Sequence, residues 1–207
     1  MIMFRKNEFS VALPGLAPAI ALVCTLPAWT ATAVAAADSP EVTLKRGLSE
    51  LLTAVKTRNN WETVELAKRL RPILDRFFNF ESLTRRALGP GWKDLNAEQQ
   101  KKATQLFSEI IIRSYTSRFD PRSEVDVQFT RALDMGNNRK EVPAVAKYQG
   151  NTVSVAYRVE PGSEGWRVYD VVIEGVSLAS NYRSQFDSIR QKGGPDAVLK
   201  AMEDKLK

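Results

Sequence analysis

Apolar residues recur at helical spacing up to about residue 119, then alternate in strand fashion between Val125 and Ile173. This change of period constrains the fold more than any other feature. Helices followed by a block of strands specify an α+β architecture, in which helices must cover a face of an antiparallel sheet. From Pro40 to about Thr57, Leu44, Leu48, Leu51, Leu52 and Val55 trace one helical stripe, which Asn59 and Asn60 interrupt. Trp61, Val64, Ala67, Leu70, Ile73, Leu74 and Phe77 trace a second, in which Pro72 predicts a kink or restart near Leu70. A short helix over Phe80 to Leu88 ends at Gly89-Pro90-Gly91. Asn96 and Gln99 form a capping box that opens a long helix to about Phe119.

Four strands follow, at Val125–Phe129 and within Val142–Tyr148, Val153–Val159 and Trp166–Ile173. Gln149-Gly150-Asn151 and Pro161-Gly162-Ser163 supply turns, so the strands read as an antiparallel meander. Trp166–Ile173 carries β-branched residues on both faces, as a covered strand does. Gly175 permits a bend, and Ser180 or Asn181 is placed to cap a helix reaching Gln191. Pro195, after Gly193-Gly194, suits the first turn of a closing helix that ends near Leu206.

The first 37 residues read as a secretory signal. Arg5 and Lys6 form a basic start, Val11 to Trp29 is apolar but interrupted by Pro14, Pro18 and Pro27, and Ala33-Val34-Ala35-Ala36-Ala37 offers cleavage after Ala35 or Ala37. Residues 38–207 then form one domain, long enough to hold itself together by burial. The only cysteine, Cys24, lies within the signal, and Leu22-Val23 before it matches lipoprotein processing poorly. Histidine is absent from all 207 residues. Thiolate or imidazole zinc sites and Ser-His-Asp or Cys-His catalysis are therefore excluded from the mature chain. The net charge of +6 suits nucleic acid, anionic headgroups or a merely soluble surface, and export removes the first.

Several segments carry a resemblance. Phe78-Asn79-Phe80 runs on to Leu88-Gly89, followed by Trp92, Ala97-Glu98-Gln99-Gln100, Phe107 and Ser114-Tyr115. Val155-Ala156-Tyr157-Arg158-Val159 precedes Gly165-Trp166-Arg167-Val168-Tyr169-Asp170, then Glu174-Gly175-Val176-Ser177-Leu178 and Asn181-Tyr182-Arg183. In this order they resemble the MlaC, or toluene-tolerance, family of periplasmic phospholipid-binding proteins. Two departures touch loops: Asp120 to Glu124 replaces a Tyr-Gly-Glu turn, and Asn79 stands where the family has aspartate.

The resemblance implies a twisted four-stranded antiparallel sheet wrapped by N- and C-terminal helices around an apolar lipid cavity. It implies no cofactor and no catalysis, but carriage of phospholipid across the periplasm. The implied partners are an outer-membrane MlaA-type lipoprotein with a porin and an inner-membrane ABC transporter with an MlaD-type subunit. Candidate walls are Phe77, Phe78, Phe80, Leu83, Phe107, Ile110, Ile111, Tyr115, Val155, Tyr157, Val171, Ile173 and Tyr182, with Lys147 and Arg183 as rim or headgroup candidates. Periodicity alone does not divide such residues into lining and core.

The task is demanding. At about 0.8 kcal/mol per methylene, two tails of roughly 16 carbons cost about 25 kcal/mol to expose to water. Swallowing both requires a dry volume on the order of 1,000 Å³, and exchange must occur at contact with a partner. Three rivals stand beside this reading. One is a hopanoid carrier of the same family. Another is a small hydrolase or isomerase using Asp170, Glu174 or Tyr157 as acid or base, with Ser177 and Ser180 lacking a histidine to activate them. The third is an adaptor whose interior is filled by its own side chains.

Overall fold

A computed structural model describes residues 38–56, 63–117, 120, 123–163 and 165–207. The signal segment with its cleavage sites, the break at Asn59-Asn60, Trp61 and the helix end at Phe119 lie outside the described residues. Helices α1 (Pro40–Lys56), α2 (Thr63–Phe77) and α3 (Phe80–Leu88) come first, then a 3₁₀ segment (Gly89–Asp94) and α4 (Ala97–Thr116). Strands β1 (Val125–Phe129), β2 (Leu133–Asp134), β3 (Lys140–Tyr148), β4 (Asn151–Gly162), β5 (Gly165–Ile173) and β6 (Val176–Ser177) precede α5 (Leu178–Asp204). The sheet is antiparallel in the order β1-β3-β4-β5-β6, with β2 paired to β3. The four expected strands are present, and β2 and β6 extend the sheet by two residues each.

Local signals account for much of this. The Asn96 side chain accepts from the Gln99 amide at 2.9 Å, and the Gln99 side chain accepts from the Asn96 amide at 3.0 Å. That reciprocal box fixes the start of α4. Asn79 caps α3 by accepting from Ser82 N, and its own amide nitrogen donates to Glu160 at 2.9 Å. An aspartate could cap but could not make the second bond, so asparagine here ties α3 to β4. Gly194 (φ 72°, ψ −171°) breaks α5 into the two expected closing helices.

Two boundaries differ from expectation. Helix α2 continues through Pro72 without a restart. Buried Leu66 and Leu70 before the proline, and Leu74 after it, are held on one apolar face and offset the lost hydrogen bond. Helix α5 is capped by Ser177 rather than by Ser180 or Asn181, because Ser177 accepts from Ser180 N at 3.1 Å. Its hydroxyl is oriented by donating to Asp170 at 2.7 Å, a contact that spacing within the helix does not reveal.

Three apolar clusters divide the interior. The largest joins α3, α4 and α5 around Leu83, Ala103, Phe107 and Met202, all without exposure. Phe107 meets Tyr182 and Phe186 edge-on at 4.9 and 5.5 Å. A second seals Leu44 of α1 onto Val142, Val159 and Val168. The third binds α1 to α2 through Val55, Leu66 and Leu70.

Helix α1 is also pinned by its first turn, where the Glu41 carboxylate accepts the Ala132 amide at 2.6 Å. That hydrogen bond holds the Glu41 carboxyl below its ordinary value. Its contribution to stability is thus full above the ordinary value and is lost as pH falls through the folded one. Glu41→Gln is expected to flatten the acid limb of a melting-temperature profile below about pH 5, with a change of no more than about 1 kcal/mol near neutrality because the group is only partly buried and water screens it. Thermal melts at pH 3.5, 5 and 7 check it.

Candidate functional site

Antiparallel register decides which side chains face the helices. Val155 lies opposite Ala144 and Ile173, and Tyr157 lies opposite Val142 and Val171, so these residues share the inner face. The register shifts where Arg158 and Val159 pair with Asp170 and Val168, leaving Tyr169 as an extra residue in β5. This bulge reverses the parity of the strand. Val171 and Ile173 point inward on one side of it, and Val168 points inward on the other.

Above this face the helices leave a cavity of about 340 Å³. Leu48, Leu51, Leu52 and Val55 of α1 and Leu70 and Leu74 of α2 form one side. Ile111, Ile112, Tyr115 and Thr116 of α4 form another, with Phe78, Phe80 and Leu178 where helices meet the sheet. Val125, Val155, Tyr157, Val171 and Ile173 form the floor. Phe78 and Phe80 stack at 5.4 Å, and an Asn79 N to Val168 O bond of 2.8 Å holds the turn between them on β5. Among the described lining residues none is charged, and only Tyr115, Thr116 and Tyr157 bring polar side-chain atoms. Burial raises the Tyr157 phenol above its ordinary value, so it stays neutral.

Of the residues singled out from sequence, Phe78, Phe80, Ile111, Tyr115, Val155, Tyr157, Val171 and Ile173 are brought together on this wall. Five others are not on it. Leu83, Phe107, Ile110 and Tyr182 turn into the α3–α4–α5 core. Phe77 packs against Gly47, where an added Cβ would come within 2.9 Å of its ring. Neither proposed rim cation is at the wall. Lys147 pairs in register with Asp126, so it shares that residue's outward face rather than the floor, and it is exposed. Arg183 lies against the Gly89 turn, 3.8 Å from Asp187. The walls contributed by α1 and α2 were visible as apolar stripes, but nothing in a stripe announces a gap opposite it.

The carboxylates named as acid or base candidates, Asp170 and Glu174, do not form a reactive pair. Asp170 is wholly buried and accepts from Val171 N, Ala179 N, Ser177 Oγ and an Arg158 guanidinium nitrogen at 2.7–3.2 Å. Glu174 sits in the turn after β5 (φ 48°) and accepts from Ser154 N. A second depression of about 460 Å³ is walled by Arg46, Glu50, Asp75, Arg76 and Arg167. An acyl chain there would strip water from those charges, so it is not an alternative apolar site. Among the described residues, no cluster of His, Cys, Asp or Glu is arranged to hold a metal ion, and no helix is long and apolar enough to cross a membrane.

The architecture defines a class of α+β proteins in which sheet and helices enclose an apolar cavity rather than a polar cleft. Within it, this chain belongs to the MlaC protein family, whose sequence profile matches residues 45–204. It is similar to the intermembrane phospholipid transport system binding protein MlaC of Haemophilus influenzae, at 26% identity over 88% of this chain and 89% of that protein. Its fold is similar to that of a Ralstonia solanacearum phospholipid-binding protein solved in complex with a phospholipid, with a TM-score of 0.73. That match is 22% identical and covers 79% of this chain and 94% of the other.

Proposed function

We propose that the protein is a phospholipid carrier, exported by a cleavable signal over residues 1–37, that moves lipid between outer- and inner-membrane Mla complexes. The observation that carries the reading is the cavity between the sheet and α1, α2 and α4, which no charged side chain lines among the described residues. Such a wall favours acyl chains by area and offers few polar contacts. Family membership and the roles named for its relatives support the same ligand.

At about 340 Å³ the cavity falls well short of the volume expected for two tails, so a two-tailed load needs a wider state. Helices α1 and α2 are suited to provide it, since Val55, Leu66 and Leu70 bind them to each other in a cluster separate from the main core. Docking on an MlaD-type subunit or an MlaA-type lipoprotein would then widen the site where the tail can pass directly into apolar surroundings. Binding without turnover is the role this wall supports, because the buried Asp170 has no free lone pair facing the cavity and Glu174 holds a turn.

The protein should be exported to a bacterial periplasm, purified without detergent and characterised by native mass spectrometry and solvent extraction. Stoichiometric phospholipid and a mature N-terminus at Ala36 or Asp38 are the expected results. A polycyclic lipid in its place would move the ligand to the hopanoid class. A lipid-free protein that also takes nothing from vesicles would sink the carrier reading and leave the adaptor or enzyme.

A further inference from the structure

We infer that the Tyr157 hydroxyl is the cavity's hydrogen-bond donor to the ligand, and that it recognises a neutral ester oxygen of an acylated lipid. The inference rests on the carrier reading and adds to it a chemical preference that an apolar wall alone does not have.

Among the described residues three polar side chains reach the wall. Thr116 donates to the Ile112 carbonyl at 2.8 Å, and Tyr115 is 43% exposed, so its hydroxyl is open to water rather than held inside the cavity. Tyr157 makes no hydrogen bond to any described residue. Its strand neighbours in register are Val142 and Val171, and its ring rests against Phe129 at 5.7 Å. None of these offers an acceptor. Phenylalanine would satisfy the packing at this position, and the hydroxyl is not among the side-chain atoms sealed away without a partner, so it faces the open space of the cavity. A ligand that brings an acceptor there gains a hydrogen bond that the rest of the wall does not supply.

The surroundings also choose the acceptor. Among the described residues no cation lines the cavity, so a phosphate drawn down to Tyr157 would be stripped of water without compensation from them. A saturated polycyclic hydrocarbon carries no acceptor at all. An ester carbonyl is neutral, accepts from a phenol, and sits at the head of each acyl chain. Because burial keeps the phenol protonated, the donor is present throughout the neutral pH range.

The test uses delipidated full-length mature protein and its Tyr157→Phe variant. Each is incubated with vesicles containing equal amounts of diester phosphatidylglycerol and its diether analogue, matched in chain length and headgroup. Bound lipid is then extracted and the two species are counted by mass spectrometry. Wild-type protein is expected to enrich the diester about fivefold or more, the range of one net hydrogen bond. The variant is expected to return the vesicle ratio, with diether uptake undiminished and a melting temperature equal to or above wild type. Equal uptake of both lipids by wild type, or a preference that survives Tyr157→Phe, overturns the ester assignment while leaving the carrier intact. A marked fall in the variant's melting temperature shows that the protein itself holds the hydroxyl, and overturns it too. Uptake of neither lipid by wild type overturns both the assignment and the carrier.

Discussion

Replacing Val171 by phenylalanine is expected to weaken lipid loading about a hundredfold while shifting the melting temperature by only a few degrees. Val171 lies on the inner face of β5, half-buried, directly opposite Tyr157 and against the cavity. The larger ring grows into open space and occupies room for roughly three or four methylenes of a tail. At about 0.8 kcal/mol each, that forfeits about 3 kcal/mol of binding, and every 1.4 kcal/mol is tenfold. The same enlargement at Leu83 meets a different environment, since Leu83 has no exposure and sits in the α3–α4–α5 core. Leu83→Phe is expected to cost about 1–3 kcal/mol of stability by overpacking and to leave the affinity of the folded fraction unchanged. Lipid titration and thermal melts on both variants separate the cases. If Val171→Phe lowers melting while occupancy stays normal, Val171 belongs to the core and the cavity is not the site.

The contrast between these two residues also shows what the sequence could reveal. Elements fixed by neighbouring residues were legible: the Asn96–Gln99 box, the alternation of β1 and β3 to β5, and the glycine break before Pro195. Features fixed across the fold were not. The start of α5 depends on Asp170 orienting Ser177, and the inward turn of Val168 depends on a bulge at Tyr169. Periodicity identifies an apolar face but does not say whether the opposing surface reaches it. Ile110 and Ile111 make the point, since both are apolar and adjacent on α4. One residue of helix is about a hundred degrees of rotation, which sends Ile110 into the core and brings Ile111 to the cavity wall. Leu48, Leu51 and Leu52 form one helical stripe in the sequence, and only the space above the sheet makes them wall.

Asp170→Ala is expected to be among the most destabilising single changes in the chain, costing about 3–5 kcal/mol. Its Oδ1 accepts the amides of Val171 and Ala179 at 3.0 and 3.1 Å, and its Oδ2 accepts Ser177 Oγ at 2.7 Å and an Arg158 nitrogen at 3.2 Å. Removing the carboxylate leaves four donors without that acceptor and frees the Ser177 hydroxyl that caps α5. The loss propagates because α5 supplies Tyr182, Phe186, Leu199 and Met202 to the main core. At about 2–4 °C per kcal/mol for a domain of this size, the melting temperature should fall by roughly 6–20 °C. Asp170→Asn keeps one carbonyl oxygen to accept backbone amides but loses the charge that faces Arg158, so a smaller loss is expected. Neither change touches the cavity, because Asp170 faces away from Val171 and Tyr157 across the strand. Folded Asp170→Asn protein should therefore load lipid with wild-type affinity, measured at a temperature well below its melt. Normal melting combined with lost lipid uptake, or with the loss of some measured turnover, would take Asp170 out of the scaffold and restore it to the chemistry of the site.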